Sequence, residues 1–304
     1  MAGHAALVGA TASGKSAIAL ALARADPSWE LVTVDSMQVY RGMDVGTAKP
    51  SPAEQAEVRH HLLDVADPWE DYDVARYQAD ARAAIADIEA RGKRALLVGG
   101  TALYLRAVVD DLRLPGQFPD VRAELDADAD TAALHARLAE LDPVAAGRME
   151  PTNRRRVVRA LEVTLGSGQP FSSYGPGLDE HLPTPFCLVA LRRPWPELDQ
   201  RIHARYDRQL VDGFLEEVRR LATAERPWSR TAAQALGYKE LAAHVAGECG
   251  LDEALELART RTRRFARRQE KWFRRDPRIA WVDVGGDPLD VVEPVRRLLG
   301  ATAD

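Results

Sequence analysis

Gly9-Ala10-Thr11-Ala12-Ser13-Gly14-Lys15-Ser16 fits the pattern G-x-x-x-x-G-K-[ST]. Its glycines let the backbone curl until successive N–H groups face one anion, Lys15 adds a point charge, and the Ser16 hydroxyl can ligate Mg²⁺. Such a loop holds a diphosphate or triphosphate group. The bland alternative, a Gly/Ser-rich turn that binds nothing, is weakened by its place between a strand-like run at 5–8 and a helical run at 16–24. Kinases, ATPases and GTPases share the loop, so it does not name a reaction.

Other residues carry chemistry near it. Asp35 ends the apolar run 31–34, which in a parallel sheet places it at the carboxyl edge beside the loop. It can accept a proton, or equally stand as an outer carboxylate of a Mg²⁺ site. Thr101 follows the run 95–98 and starts a helical stretch to 109, where its residue type is that of an N-cap. Arg201 and Arg205, four apart in the helical stretch 198–210, can clamp phosphate oxygens or line a solvated face. His60 and His61 lack metal-ligand spacing, which favours packing or backbone roles, and Cys187 and Cys249 form no C-x-x-C, which argues against a disulfide framework or a zinc site.

The elements that must position these groups alternate. The short apolar runs 5–8, 31–34 and 95–98 read as buried strands, with helical patterns at 16–24 and 74–90 between them, as in a parallel sheet covered on both faces. After 109 two prolines and a glycine interrupt the pattern, helical spacing returns at 121–125, 132–141 and 154–165, and 166–185 is a loop rich in Gly, Pro and Ser. Strand character resumes at 186–191. Residues 196–246 read as helical, 251–275 as one long helix and 279–284 as a last strand. The predicted fold is α/β: a P-loop NTPase-like parallel sheet core from 1–112 and 184–304 with C-terminal helices, and an inserted small all-helical domain at 113–183.

With 304 residues, 46% of them hydrophobic, the chain can bury a sizeable core plus an appendage. The net charge of −5 gives no hint of a nucleic-acid partner, yet residues 259–278 hold ten Lys or Arg against two acidic residues. On a helix Ala258, Thr262, Phe265, Gln269 and Trp272 share an inward stripe, leaving Arg263, Arg264, Arg267, Lys271 and Arg274 outside. Arg154, Arg155, Arg156 and Arg159 form a second cluster. Either face can neutralise phosphates or simply be solvated. The sequence opens Met1-Ala2-Gly3-His4 without a basic leader or long apolar run, so a cytoplasmic protein away from membranes is expected.

The stretch from Asp35-Ser36-Met37-Gln38 through Gly46-Thr47-Ala48-Lys49-Pro50 closely resembles the signature of the tRNA dimethylallyltransferases, also called tRNA isopentenyltransferases, of bacterial type. Gly9–Ser16 looks like that family's phosphate loop. His60-His61-Leu62-Leu63-Asp64, Val98-Gly99-Gly100-Thr101-Ala102-Leu103-Tyr104-Leu105, residues 155–163, Leu236-Gly237-Tyr238-Lys239-Glu240 and residues 262–274 resemble later blocks in order, so the similarity spans about residues 5 to 275. Ala10 stands where the family usually has proline, and Ala102 where it usually has glycine. Neither replacement removes a functional group.

The resemblance implies a prenyltransferase that moves a dimethylallyl group from dimethylallyl diphosphate to the exocyclic amine of the adenine 3′ of the anticodon. Asp35 and Thr101 would then be catalytic, with Asp35 taking the amine proton and Thr101 reaching the amine region and a phosphate oxygen. Gly9 to Ser16 with Arg201 and Arg205 would hold the diphosphate, and Mg²⁺ on Ser16 would offset its charge. Asp35, Ser36, Met37, Gln38 and Thr101 would meet the target base. Arg122, Arg155, Arg156, Val157, Val158 and Arg159, together with Arg264, Arg267 and Lys271 of the long helix, would contact the anticodon stem-loop. A monomer is expected. Rival readings are a small-molecule kinase using ATP at the same nucleotide-binding loop, an adenylate isopentenyltransferase acting on a free nucleotide, and a non-catalytic RNA-binding NTPase switch.

Overall fold

Alternate residues of each central strand enter two different apolar clusters. Ala6, Val8, Val32, Val34, Ala95, Leu97, Leu188 and Ala190 pack on one face of a sheet, and Ala5, Leu7, Leu31, Leu96, Val189 and Leu191 on the other. Because successive side chains point to opposite faces and both faces are covered, the strands read as unbroken apolar runs. The computed structural model describes residues 3–300 apart from 176 and 179; Met1 and Ala2, and those two positions of the expected 166–185 loop, lie outside the described residues.

The described residues form one six-stranded sheet, β1 (Ala5–Gly9), β2 (Trp29–Val34), β3 (His60–His61), β4 (Arg94–Gly99), β5 (Cys187–Arg192) and β6 (Ala280–Asp283), in the order β3-β2-β4-β1-β5-β6. Every pair is parallel. The chain leaves β1 to build one side of the sheet and crosses back to build the other, so the carboxyl end of β1 is the switch point where such sheets collect ligands.

Several expectations needed correction. β3 was not foreseen as a strand because it is two residues long; His61 is fixed instead by its Nε2 at 2.7 Å from buried Glu30. The stretch 196–246 is not continuously helical: Trp195–Val211 and Phe214–Ala222 are separated at Gly213, whose φ of 96° no continuing helix can adopt, and the next helix is Tyr238–Val245. The long helix runs Leu251–Phe273, and its buried residues include Ala258, Thr262, Ala266, Gln269 and Phe273. Phe265 and Trp272 therefore sit at the margin of the inward stripe, with Ala266 and Phe273 taking the inner places. Pro52–Glu57, Pro143–Gly147 and Val292–Gly300 are further helices.

Residues Asp110–Leu182 form a separate compact unit, beginning before the expected 113 and ending before 183. The reason lies in the sheet unit, where the Thr184 hydroxyl donates to the Val109 carbonyl at 2.7 Å and ties exit to return. Within the helical unit, Pro119–Ala127, Thr131–Leu141 and Arg154–Ser167 pack around Leu125, Leu134, Leu138, Ala160 and Leu161. Asp142 organises one corner, accepting the Ala145 N–H at 3.0 Å and the Ser172 N–H at 2.7 Å. Among the described residues no helix is long and apolar enough to cross a membrane.

Candidate active site

The phosphate loop leaves β1 at Gly9 (φ 150°), passes Ala12 (φ 64°) and enters the Lys15–Ala25 helix through Gly14 (φ 103°). A Cβ on Gly14 would lie 2.5 Å from Pro288 Cβ, so only glycine fits there on both backbone and packing grounds. Ser13 is buried, and its Oγ has no partner among the described residues. Lys15 Nζ donates to the Ala10 carbonyl at 3.2 Å, Arg201 Nε to the Ala12 carbonyl at 2.9 Å, and Arg205 Nη1 to Thr11 Oγ1 at 2.9 Å. Both arginines of the sequence reading therefore hold the loop itself and do not line a solvated face. Burial lowers the pKa of each.

The cradle collects positive charge. Burial pulls the Lys15 ammonium down to about 8, the nearby Asp35 carboxylate opposes that shift, and the Arg205 guanidinium adds to it. An anion seated among these groups would relieve the repulsion between them.

Asp35 stands just past β2, where its Oδ1 accepts the Met37 N–H at 2.9 Å. Its Oδ2 accepts no hydrogen bond among the described residues. Thr101 opens the following helix without capping it through its side chain. Its carbonyl accepts from Leu105 N, as an N-cap's does, but its hydroxyl reaches across to the neighbouring turn, accepting the Ser36 N–H at 3.1 Å and donating to Ser36 Oγ at 3.4 Å. Gly100 and Thr101 both donate backbone N–H groups to the Val34 carbonyl at 3.1 Å. A Cβ on Gly99 would lie 1.9 Å from that carbonyl oxygen, so the Gly-Gly-Thr segment is what lets these strand ends close up. Gln38 Nε2 donates to the Thr47 and Ala48 carbonyls, each at 3.1 Å, leaving the acceptor end of its amide for other partners. Met37 packs against the core cluster.

Mg²⁺ suits this constellation in a limited way. Ser16 is exposed, and its hydroxyl makes no hydrogen bond among the described residues. No group of three His, Cys, Asp or Glu among the described residues can cage a metal. One hydroxyl and one carboxylate match a small, strongly hydrated ion that takes its remaining ligands from phosphate and water.

Sequence reasoning missed a buried support beneath the signature segment. Glu217 accepts the N–H groups of Asp44, Val45 and Gly46 at 2.8, 2.9 and 3.1 Å and the Tyr238 hydroxyl at 2.6 Å. Gln209 Nε2 donates to the Val45 and Gly46 carbonyls at 2.6 and 3.0 Å. The only signal was Tyr238 itself, inside the Gly237-Tyr238-Lys239-Glu240 block.

The cationic residues divide by what already holds them. In the helical unit, Arg159 donates to Glu162 at 2.6 Å and to the Pro115 and Gly116 carbonyls, while Arg122 pairs with Asp126 at 2.7 Å and faces Glu162 at 3.6 Å. Both stabilise that unit. Arg155 and Arg156 are exposed and make no ion pair among the described residues. Val157 and Val158 do not belong with them: each is 0% exposed within the unit's core, so neither side chain has surface to offer RNA. Placing them in a contiguous contact stretch ignored the helical period, which turns those two positions inward. In the sheet unit, Arg264, Arg267 and Lys271 are exposed on the long helix, with Arg267 5.5 Å over the Trp195 ring.

Sheet order, loop and flanking carboxylate define a phosphate-loop α/β protein. The IPP transferase family model matches residues 38–276, and the chain belongs to that family. It is 50% identical to the tRNA dimethylallyltransferase of Kineococcus radiotolerans over 97% of this chain and 95% of that one, and 49% identical to that of Thermobifida fusca over 95% and 91%. Among solved structures, the full-length tRNA isopentenylpyrophosphate transferase of Bacillus halodurans superposes with a TM-score of 0.71 at 34% identity, covering 99% of this chain and 98% of that one. A eukaryotic dimethylallyltransferase acting on tRNA gives a TM-score of 0.80 at 26% identity, over 97% and 77%.

Proposed function

We propose that this chain transfers a dimethylallyl group from dimethylallyl diphosphate to the exocyclic amine of the adenosine 3′ of the anticodon in tRNA, releasing diphosphate. The observation that supports it most is a carboxylate with an uncommitted oxygen, Asp35, electrostatically coupled to the lysine of a phosphate loop.

The loop amides, Lys15, Arg201 and Arg205 seat the diphosphate, so negative charge developing on the departing oxygen meets fixed donors. Mg²⁺ held through Ser16 supplies further charge neutralisation when bound. The allylic C–O bond breaks, a C–N bond forms to the adenine amine, and the amine proton passes to Asp35. An adenine amine is a weak nucleophile because its lone pair is conjugated with the ring, which is why a base is needed at that atom. Thr101 keeps the Asp35–Gln38 turn in place, and the free acceptor of Gln38 suits an N–H of the exocyclic amine. The base must leave its stack to arrive there, at lower cost from a single-stranded loop. Arg155 and Arg156 in one unit, and Arg264, Arg267 and Lys271 in the other, are exposed cations without an ion pair among the described residues and can meet RNA phosphates.

The direct test is incubation with labelled dimethylallyl diphosphate, Mg²⁺ and unmodified tRNA, followed by digestion to nucleosides. Label on adenosine is expected. Folded protein that leaves adenosine unlabelled but consumes ATP on a small acceptor would establish the kinase reading instead. Label on free adenine nucleotides with none on tRNA would establish an adenylate transferase.

A further inference from the structure

The Leu251–Phe273 helix sends one polar side chain, Gln269, into the buried space between the phosphate loop and the end of β4. Gln269 is 7% exposed, and both ends of its amide are engaged. Its Oε1 accepts the Thr11 N–H at 2.9 Å, and its Nε2 donates to the Gly100 carbonyl at 2.9 Å. The orientation follows from the partners, because turning the amide over would set donor against donor and acceptor against acceptor in a dry site.

The two groups it joins belong to the two halves of the chemistry. Thr11 lies in the phosphate loop, and its hydroxyl receives Arg205. Gly100 precedes Thr101, whose hydroxyl holds the turn that carries Asp35. The spacing is close enough to exclude a side chain at Gly100, where a Cβ would fall 2.2 Å from Gln269 Nε2 and 3.1 Å from the Gly9 carbonyl oxygen.

We infer that Gln269 is a positioning residue for the transfer reaction. It sets the separation between the phosphate loop and the Gly100–Thr101 turn, and hence how far the allylic carbon stands from the amine that Asp35 deprotonates. This rests on the function proposed above. Displacement of reacting groups by about 1 Å is enough to cost on the order of 100-fold in rate, so a strut between donor site and base matters even though it touches no substrate.

Gln269→Met keeps the length and apolar bulk of the side chain while removing both hydrogen bonds. It is expected to raise the KM for dimethylallyl diphosphate about tenfold and lower kcat at least about tenfold, with the KM for tRNA within about twofold of wild type. Gly100→Ala, which expels the amide, should reproduce that split, and the double variant should be no worse than the more impaired single one. Donor KM and kcat both within twofold of wild type, a defect confined to tRNA KM, or an additive double variant would each overturn the inference. A readout that needs no variant is the exchange of the Thr11 amide proton in the donor-free wild type. The strut requires protection of at least about 100-fold over an open chain, and an unprotected Thr11 amide refutes it whether or not the variants fold. If wild-type protein labels no adenosine, the proposed function fails while the Thr11 measurement still decides the strut.

Discussion

Lys15 is held where its charge costs most without a ligand. Burial lowers its ammonium to about 8 from the ordinary 10.5. A lysine whose folded value lies below its unfolded one makes the charged form the less stable partner, so this penalty is fully present below about pH 8 and fades between about 8 and 10.5. Two outcomes are expected. The kcat/KM for the donor should fall as pH rises through about 8, approaching tenfold per pH unit, in assays with saturating tRNA. Lys15→Met should raise the melting temperature by about 2–4 °C while abolishing binding of inorganic diphosphate measured by calorimetry. For the base, Asp35→Asn should lower kcat by about 100-fold or more and leave tRNA affinity within about threefold; a fully active variant removes Asp35 from the mechanism. Lys15 and Asp35 were legible in the sequence because loop spacing and strand end are local patterns. The Thr101 hydroxyl was not, since its partner Ser36 lies on another strand's turn, and the burial of Val157 and Val158 followed only once the helix register was fixed.

At the scale of elements, the segment after Asp35 has little regular structure and is held from below. Glu217 takes three successive amides and a tyrosine hydroxyl, and Gly46 packs so closely that a Cβ would lie 2.1 Å from the Phe214 ring. Glu217→Gln turns an amide NH₂ toward backbone donors and is expected to destabilise the protein by about 2–4 kcal/mol in urea titration, with a matching loss of transfer. No change in the unfolding midpoint would mean that the segment does not depend on this carboxylate. The central strands and the long helices could be read from sequence because burial on two faces or on one stripe leaves a periodic trace. The break at Gly213 and the helix Val292–Gly300 could not: the first depends on a single positive φ, and the second buries few residues among charged neighbours. The long helix was recognised but its stripe was misjudged, because two large aromatics were given the inner places that Ala266 and Phe273 hold.

For the whole molecule, a net charge of −5 coexists in both units with exposed cations that make no ion pair among the described residues, so attraction for RNA is set by local patches. Binding of an anticodon stem-loop should weaken steeply with salt. Arg155→Ala with Arg156→Ala, and separately Arg264→Ala with Lys271→Ala, should each flatten the log–log salt dependence by about one to two, measured by filter binding from low to physiological salt. An unchanged slope would exclude that patch from the contact. Arg159→Ala should instead lower the melting temperature, since its guanidinium holds Glu162 and two carbonyls of its own unit.

The hydrogen bond from Thr184 to the Val109 carbonyl gives the chain a single doorway through which it departs and comes home. A detour anchored at one threshold is cheap to resize, because each doubling of its length adds only about 0.6 kcal/mol of closure entropy. The sheet can therefore host excursions of very different size without rewiring, and a version in which a few glycines bridge Val109 and Thr184 should still capture inorganic diphosphate.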